Sequence, residues 1–252
     1  MRKTDSHTFP HTGMLVKNKD KSGKVMPRRT PEEAEQTRLN LLNTALRMYA
    51  QQGLHQVSLK QIAAQAGVTH GAVYWHFRNR DHLLESLYFH HEMPFEQQFV
   101  EQQQAIRQDP VQALADYLRG VLRAVLSRPA LRLTYRLFWL QPDQAELAGV
   151  YARLQADQAL CLSHLLAFLK QARKKKLLKK KFSTQPFAES LAAVLHALLR
   201  EAVQPALFSP NAEPSPLQEI TAEEHSSDVL DYELPEAIEH LIQALIRGLA
   251  AG

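Results

Sequence analysis

The chain has 252 residues, a formal net charge of +4 and 45% hydrophobic residues, which is enough for one large or two small domains. Its one cysteine, Cys161, excludes an internal disulfide and suits a reducing cytoplasm. No apolar run approaches the roughly 20 residues of a membrane span, and the basic start lacks the apolar stretch of a secretory signal. We therefore expect a cytoplasmic protein with no membrane partner.

Residues 1–29 are predicted to form a basic, disordered extension. Residues 1–25 alone carry a charge of +4, so the rest of the chain balances to zero. The overall charge is therefore no indication of a nucleic-acid partner. Two interpretations of residues 1–25 stay open: a basic arm that adds phosphate contacts, or a segment that precedes a natural start at Met26.

Residues 31–52 are predicted to form the first helix. Thr30 is a suitable N-cap, Pro31 suits the first helical position, and Glu33 stands three residues after Thr30, as in a capping box. Gly53 is expected to end the helix.

The stretch from Ser58 to Arg80 predicts two short helices joined by a sharp turn. Ser58 and Thr69 are suitable N-caps for the two helices. Gly67 stands between them and can adopt the left-handed conformation in which helices often end. This arrangement is typical of a helix-turn-helix motif, whose second helix enters the major groove of DNA. The alternative is an ordinary pair of packed helices.

The residue types of the second helix favour DNA binding over that alternative. No acidic residue occurs between Thr69 and Arg80, and the small residues at the helix start would let a phosphate backbone approach closely. The residues expected to face bases are Thr69, His70, Gly71 and Ala72. The residues expected to anchor phosphates are Ser58, Lys60, Tyr74, Trp75, His76 and Arg80.

The same stretch resembles the DNA-binding domain of the TetR family of transcriptional regulators. The residues that carry the resemblance are Gly67-Val68-Thr69-His70-Gly71-Ala72-Val73-Tyr74-Trp75-His76-Phe77, then Arg80 and Leu83-Leu84. The similarity is strongest to the AcrR-type branch, the repressors of multidrug efflux genes. It implies an all-α fold with a three-helix helix-turn-helix DNA-binding domain at residues 30–93. A larger α-helical domain for ligand binding and dimerisation would follow at residues 94–252.

The resemblance also extends to the N-terminal side of the motif. The family touches phosphate near the start of its first helix, which adds Arg28 and Arg29 to the expected DNA contacts. The sequence from Met26 resembles the usual beginning of AcrR-type repressors and favours a natural start there.

A linking helix is predicted from about His82 to Phe95 or beyond, capped by Asn79 or Asp81. The histidines along it do not form pairs three or four residues apart, so we expect no metal site.

Aromatic residues are dense in the helical pattern between residues 94 and 140. On residue types alone they form either plain core or the wall of a cavity for a small molecule. The resemblance favours a ligand pocket, whose candidate residues are Phe95, Phe99, Tyr117, Val121, Tyr135, Phe138 and Trp139.

Two long helices, at residues 143–175 and from about residue 186, are too apolar for one buried stripe each, which implies a second partner. In the TetR family the equivalent helices pair across a twofold axis, so we expect a homodimer. The candidate interface residues are Leu154, Cys161, Leu165, Phe168, Leu191, Leu195, Leu198 and Ala202.

Two segments of unusual charge lie in this half of the chain. Residues 173–181 form the most basic run, which departs from the family and is expected to be a solvated loop; a secondary acidic partner is the alternative. Residues 209–236 are expected to form a flexible acidic insert before a final helix at residues 237–249.

The leading hypothesis is a homodimeric repressor that binds a palindromic double-stranded operator and is released by a hydrophobic or cationic inducer. One alternative is a regulator of the same fold that activates transcription or senses a metabolite. A remote alternative is an all-α enzyme or a helical scaffold. The sequence shows no catalytic triad, paired carboxylates or glycine-rich phosphate loop, so we expect no enzymatic activity and no cofactor.

Overall fold

The computed structural model describes residues 30–140, 148–203 and 233–249, and every structural statement below refers to those residues. They contain α-helices and one 3-10 turn, Leu54–Gln56, with no β-strand in these ranges. Several expectations lie outside the described residues: the extension at residues 1–29, which includes the candidate contacts Arg28 and Arg29, and the greater part of the acidic insert.

The helices follow the order expected for an all-α protein. Their bounds are α1 Pro31–Gln52, α2 Leu59–Gln65, α3 His70–His76, α4 Arg80–His90, α5 Phe95–Glu101, α6 Ala105–Gln108, α7 Pro110–Ser127, α8 Pro129–Trp139, α9 Ala148–Lys174, α10 Thr184–Val203 and α11 Glu236–Leu249.

The chain divides into two compact units, residues 1–38 and residues 39–252. In the first unit, the Thr30 N–H donates to Glu33 Oε2 at 2.9 Å, and the Glu33 N–H donates to Thr30 Oγ1 at 3.2 Å. These two bonds satisfy backbone donors that the start of α1 would otherwise leave free. The predicted capping box is therefore confirmed.

The linking helix α4 is shorter than predicted, because it ends at His90 and not at Phe95 or beyond. Pro94 explains the difference. A helix that continued through Pro94 would lose the N–H donor at that position, and the proline ring would clash with the carbonyl of His90, four residues earlier. The side chain of Asn79 caps the helix, accepting from the His82 N–H at 2.8 Å.

The second unit contains two hydrophobic cores. The first core joins α2, α3, α4 and the part of α1 from Leu41 onward to residues of α8 and the start of α9, including Phe138, Val150 and Leu154. The second core is formed mainly by α5, α7, α9, α10 and α11. Helix α9 takes part in both cores and, at about 1.5 Å per residue, is roughly 40 Å long.

Polar contacts tie the helices together at two points. The buried Tyr88 of α4 donates its hydroxyl to Asp157 Oδ2 of α9 at 2.6 Å. Burial, followed by the neighbouring carboxylate, raises the pKa of Tyr88. Arg119 of α7 donates from Nη2 to Glu239 Oε1 of α11 at 2.6 Å and from Nε at 2.9 Å. These contacts fix α4 to α9 and α11 to α7.

Helices α5 and α7 approach closely at Gly120. A Cβ atom added there would lie 1.7 Å from Gln98 Oε1 and 2.7 Å from Gln98 Cδ. Gln98 is itself buried, so its side chain has little room to retreat. Glycine at position 120 therefore lets these helices pack at this distance.

Candidate nucleic-acid interface

Helix α2 begins with a complete capping box. The Ser58 N–H donates to Gln61 Oε1 at 2.8 Å, and the Gln61 N–H donates to Ser58 Oγ at 3.3 Å. Ser58 is exposed, but its hydroxyl already serves this cap. Lys60 is exposed on the first turn of α2, where its ammonium group is free to reach an anion outside the protein.

The turn after α2 fixes the angle at which α3 leaves. Gly67 has a φ of 70°, the Val68 N–H donates to the Ala63 carbonyl at 3.0 Å, and the Gly67 N–H donates to the Ala64 carbonyl at 3.2 Å. These two bonds define a Schellman motif, in which glycine is the residue that enters the left-handed region without steric cost. The predicted role of Gly67 is therefore confirmed.

One side of helix α3 is packed into the first core, and the opposite side is exposed. Thr69 caps it by accepting from the Ala72 N–H at 3.2 Å, and Val73 and Phe77 are fully buried in the first core. His70 and Gly71 are exposed at its start, whereas Ala72 is half-buried. The first turn of α3 therefore presents little side-chain bulk on its outer face.

The internal packing of the protein does not require glycine at position 71. A Cβ atom added there would meet only Thr69 Oγ1, at an ordinary distance of 4.0 Å, and the backbone is not left-handed. A glycine inside a helix is also less favourable than alanine by about 1 kcal/mol. The absence of a side chain is therefore explained best by something outside the protein that approaches α3 closely.

The end of α3 exposes two aromatic rings. Tyr74 is 50% exposed and Trp75 is 74% exposed. The ring of Tyr74 meets His70 edge-on at 4.9 Å, and the ring of Trp75 meets His76 edge-on at 4.6 Å. Large rings held in fixed orientations at the surface indicate a contact with another molecule, since they contribute little to the core.

Arg80 differs from the other candidate phosphate anchors in the internal contacts of its guanidinium. Its guanidinium donates to the carbonyl of Leu54 and lies 5.7 Å from the centre of the Tyr49 ring. It therefore holds the 3-10 turn against the start of α4, and a phosphate contact would have to share the guanidinium with this internal role. Arg78, which the sequence interpretation passed over, is exposed just after α3; its position two residues before Arg80 was the signal.

The candidate pocket residues divide into two groups and one outlier. In one group, Trp139 stacks on Tyr135 at 5.6 Å and on His196 at 5.1 Å, and meets Phe95 edge-on at 5.9 Å. Burial lowers the pKa of His196. Phe138 is the outlier: it belongs to the first core and meets the ring of Tyr88 at 5.2 Å.

The other group surrounds His164 of α9. Phe99 stacks on the His164 ring at 4.0 Å, and the Tyr117 hydroxyl lies 3.4 Å from His164 Nδ1. Burial lowers the pKa of His164, and Glu96, whose carboxylate is 3.2 Å from Nε2, opposes that shift. Val121 is also buried in this second core. The sequence interpretation omitted His164 and His196, although both stand among the apolar positions of their helices.

The candidate interface residues are mostly buried within one chain. Four of them on α9 and two on α10 have at most 7% of their surface exposed: Leu154, Cys161, Leu165, Phe168, Leu191 and Leu195. Leu198 is half-buried, and the side chain of Ala202 lies outside the described residues. Burial also raises the pKa of the Cys161 thiol to about 11. Six of the eight therefore complete the protomer's own cores and leave little surface for a partner.

An apolar surface remains open between α10 and α11. A shallow cleft there is lined by aliphatic side chains of α7, α10 and α11, among them Val194, Leu198 and Leu245. Leu241 of α11 is 39% exposed beside it. This surface carries larger aliphatic groups than the outer face of α9, where the exposed positions include Ala152, Ala156 and Ala159.

Two features that the described residues lack bear on other classes of function. Among them, no helix combines the length and hydropathy needed to cross a bilayer. Nor do the described ranges contain a group of three or more histidine, cysteine, aspartate or glutamate side chains placed to hold a metal ion.

Comparison with known proteins gives results for the motif and for the whole fold. The family described as bacterial regulatory proteins, tetR family, matches residues 41–87. The HTH-type transcriptional regulator AcrR of Shigella flexneri is 35% identical over 138 residues, which are 54% of this chain and 63% of that protein. The aligned region thus spans less than two thirds of that relative.

Solved structures agree with the fold over most of the chain. NalD, the secondary repressor of the MexAB-OprM multidrug efflux pump in Pseudomonas aeruginosa, has a TM-score of 0.65 at 24% identity, over 87% of this chain and 98% of NalD. SmeT, the repressor of a multidrug efflux pump of Stenotrophomonas maltophilia, has a TM-score of 0.59 in its triclosan complex, at 25% identity over 80% of this chain and 100% of SmeT. The predicted all-α fold, with an N-terminal helix-turn-helix domain before a larger helical domain, is confirmed.

Proposed function

We propose that this chain is a member of the tetR family of bacterial regulatory proteins, whose model matches residues 41–87, and that it is a homodimeric repressor of efflux-pump or related genes. It would bind a palindromic operator in the cytoplasm and leave it when a small hydrophobic or cationic ligand binds. The observation that carries the proposal is the outer surface of α3, where an unobstructed Gly71 precedes the exposed rings of Tyr74 and Trp75.

The proposed DNA contacts follow from that surface. The start of α3, with His70 and Gly71, would face base edges in the major groove. Lys60, Arg78 and the two exposed rings would contact the backbone on either side, which positions the helix without reading sequence. Ser58 and Arg80 would contribute mainly by holding the ends of α2 and α4 in place, because both already form internal hydrogen bonds.

A gel-shift titration tests the DNA-binding step. Purified full-length protein is titrated on duplexes from the region flanking its own gene and on a scrambled duplex, at low and high salt. We expect selective retention of one native duplex, lost in Tyr74→Ala. Tyr151→Ala, which removes an exposed tyrosine from α9, is the matched control and should bind normally. Equal weak binding to both duplexes, unchanged by Tyr74→Ala, would contradict the proposal.

Dimerisation is proposed through α10 and α11. An operator with two half-sites needs two recognition helices about 34–36 Å apart, which one copy of α3 cannot provide. The open aliphatic surface that includes Val194, Leu198, Leu241 and Leu245 is a better candidate for the twofold contact than α9, whose large side chains are already buried.

Light scattering of two charge variants distinguishes these helices. Leu241→Glu should convert the dimer to a monomer, because it places a charge in an apolar contact. Ala159→Glu, on the exposed face of α9, should leave the dimer intact. The opposite pattern would return α9 to the interface, which the sequence interpretation had placed on α9 and α10 together.

The ligand site is proposed at the aromatic group around Trp139. Tyr135, His196 and Phe95 surround this indole with flat rings, a surface suited to planar hydrophobic molecules. Release of DNA would require the ligand to prefer the conformation that does not fit the operator, since equal affinity for both conformations shifts nothing.

The two tryptophans of the chain permit a direct test of both sites. In Trp75→Phe, Trp139 is the single indole, and its emission should change when triclosan is added as the probe. In Trp139→Phe, Trp75 is the single indole, and its emission should change with operator DNA. If a compound releases DNA without altering Trp139 emission, the ligand binds elsewhere.

A further inference from the structure

The junction of α9 and α10 carries a dense cluster of positive charge that operator binding by α3 does not use. Residues 173–181 contain one arginine and six lysines among nine residues; we call this segment the lysine turn. All seven of these side chains are exposed.

Part of the lysine turn is fixed by helix ends. Lys175 Nζ donates to the Gln108 carbonyl at the end of α6 at 2.7 Å, and Lys179 Nζ donates to the Gly248 carbonyl near the end of α11 at 3.0 Å. The Lys179 N–H also donates to the Leu249 carbonyl at 3.2 Å, and Arg173 donates to the carbonyl of Phe182. Cations are favourable at the carbonyl ends of helices, where the two lysines lie, and Arg173 fixes the turn before α10, so three of the seven charges have a structural role.

The side chains of the other four cations form no hydrogen bond to a carbonyl among the described residues, although Lys174 is the last residue of α9 and Lys181 Nζ lies 5.6 Å from the centre of the Phe182 ring. Lys174, Lys176, Lys180 and Lys181 form no ion pair with a carboxylate among the described residues. Like charges crowded together lower the stability of the folded chain unless an anion neutralises them. The cluster therefore has the chemistry of a site for a polyanion.

Lys176 shows that charge is present where another residue would fit the backbone better. Its φ is 59°, the Leu177 N–H donates to the Ala172 carbonyl, and the Lys176 N–H donates to the Arg173 carbonyl, both at 2.9 Å. This is again a Schellman motif, whose left-handed position costs a non-glycine residue about 1–2 kcal/mol. The chain carries a lysine at that position all the same.

The lysine turn is distant from the recognition helix. Val150 and Leu154, at the start of α9, pack in the first core with α2–α4, whereas Ala172, near its end, packs in the second core. Helix α9 is roughly 40 Å long, which is several times the electrostatic screening length of about 8 Å at physiological salt. The turn therefore cannot act as an extension of the operator contact on the same protomer.

We propose that the lysine turn is a second, sequence-independent binding surface for the phosphate backbone of duplex DNA. Lysines act as point charges that tolerate any backbone register. Little apolar surface is available for insertion into lipid: Leu178 is buried, and Leu177 is 37% exposed. The inference rests on the proposed function and extends it, since a dimer on its operator would hold a second duplex through two such turns.

A bead-capture assay tests this inference with the full-length protein. Operator duplex is immobilised, protein is bound, and capture of a labelled non-operator duplex is measured across a salt series. One variant replaces Lys174, Lys176, Lys180 and Lys181 with glutamine. The matched control replaces the same four with arginine and keeps the charge.

We expect the glutamine variant to bind the immobilised operator normally and to capture at least tenfold less second duplex at low salt. Its salt slope for that capture should fall by about 3–4, since each lost phosphate contact contributes about 0.9. The arginine variant should capture the second duplex as the unsubstituted protein does.

Several outcomes would overturn the inference. One is capture by the glutamine variant at the unsubstituted level. Another is capture that appears only after the six carboxylates of residues 204–232 are changed to amides, which would mean that this acidic segment is the true partner. A third is retention on phosphatidylglycerol vesicles at a salt concentration at which duplex capture has ceased, which would indicate a lipid surface.

Failure of the proposed function has a separate signature. In that case the unsubstituted protein does not bind the operator beads at all. The same glutamine and arginine variants are then compared on the non-operator duplex alone by filter binding, where a difference between them supports the lysine turn and equal binding overturns it.

Discussion

Two turns of this protein share one backbone geometry and serve different surfaces. Gly67 follows α2 and Lys176 follows α9, with φ values of 70° and 59°. Each turn has its own pair of hydrogen bonds in the Schellman pattern that ends a helix. The first turn leads into α3, a short helix with exposed aromatic rings of fixed orientation and a glycine at position 71. The second turn lies within the cluster of flexible cations at residues 173–181. Shape at the first surface suits sequence reading, whereas charge density at the second suits phosphate alone.

The comparison explains why net charge is a poor guide to the operator site. The most basic segment of the chain is the lysine turn, yet within the described ranges only the α3 surface combines an anchored helix, an open backbone and oriented aromatic groups. Four experiments test this contrast between the α3 surface and the lysine turn, and each changes only one of the two regions.

Acid is expected to have the largest effect, and His91, the residue that ends α4, contributes to it together with the buried His164 and His196. Burial, and then the neighbouring His90, lowers the pKa of His91 from 6.5 to about 4. The contribution of neutral His91 to the free energy of unfolding is fully present above pH 6.5. It is lost as the pH falls to about 4, because His91 in the unfolded chain is protonated at a higher pH than in the folded chain. We expect a loss on the order of 2 kcal/mol in denaturant titrations across this range.

The control for this pH dependence is a second histidine. His91→Gln should reduce the pH dependence of stability between pH 6.5 and 4 to the part that comes from His164 and His196. His240→Gln, on the exposed side of α11, should not reduce it. The lysine turn contains no histidine, so duplex capture by it should stay unchanged from pH 7.5 to 6. An unaltered profile in His91→Gln would refute the assignment.

Gly67→Ala is expected to have the next largest effect on stability. A Cβ atom in the left-handed region costs about 1–2 kcal/mol, and thermal unfolding should report that loss. Operator affinity should fall as well, because the direction of α3 depends on this turn. Gly248→Ala adds a methyl group inside α11 where nothing lies within 4 Å and the backbone is ordinary, so it should raise stability slightly, because alanine suits a helix better, and leave operator affinity unchanged.

Gly71→Ala separates binding from stability. We expect unfolding to become slightly less favourable, since alanine suits a helix better by up to about 1 kcal/mol and the added methyl group has room. Operator affinity should nevertheless fall about tenfold in a gel shift, roughly 1.4 kcal/mol, because the methyl group would stand between α3 and the DNA. A variant that is more stable and binds normally would show that α3 does not approach DNA at this residue.

Lys176→Gly is expected to have the smallest effect. Glycine should relieve the left-handed backbone and raise the free energy of unfolding by about 1 kcal/mol. Operator affinity should not change, because the substitution lies at the other end of α9. If stability falls instead, Lys176 contributes a contact that outweighs its conformational cost.

Local structure around α1–α3 could be predicted closely from sequence because its signals are local. The caps at Thr30, Ser58 and Thr69 and the turn at Gly67 depend on residues within four positions of one another. Each is found where the residue types indicate. The predicted end of α4 is wrong because apolar residues continue past Pro94, whereas the helix ends at His90, before the proline.

The helical domain was less predictable because periodicity marks an apolar face without showing what covers it. Cys161, Leu165 and Phe168 repeat at helical spacing, which is equally consistent with a dimer contact and with the protomer's own core, and they lie in the core. Phe138 was grouped with Trp139, its neighbour in sequence, but it belongs to the first core. Such choices depend on contacts between residues far apart in the chain.

The close approach at Gly120 has a consequence for the evolution of this protein. Its neighbour Gln98 occupies the space that a larger residue at position 120 would need. A substitution at either position alone would therefore leave a collision or an unfilled gap between α5 and α7. In diverging descendants of this chain the two positions should change as a pair, with a larger residue at 120 accompanied by a shorter one at 98.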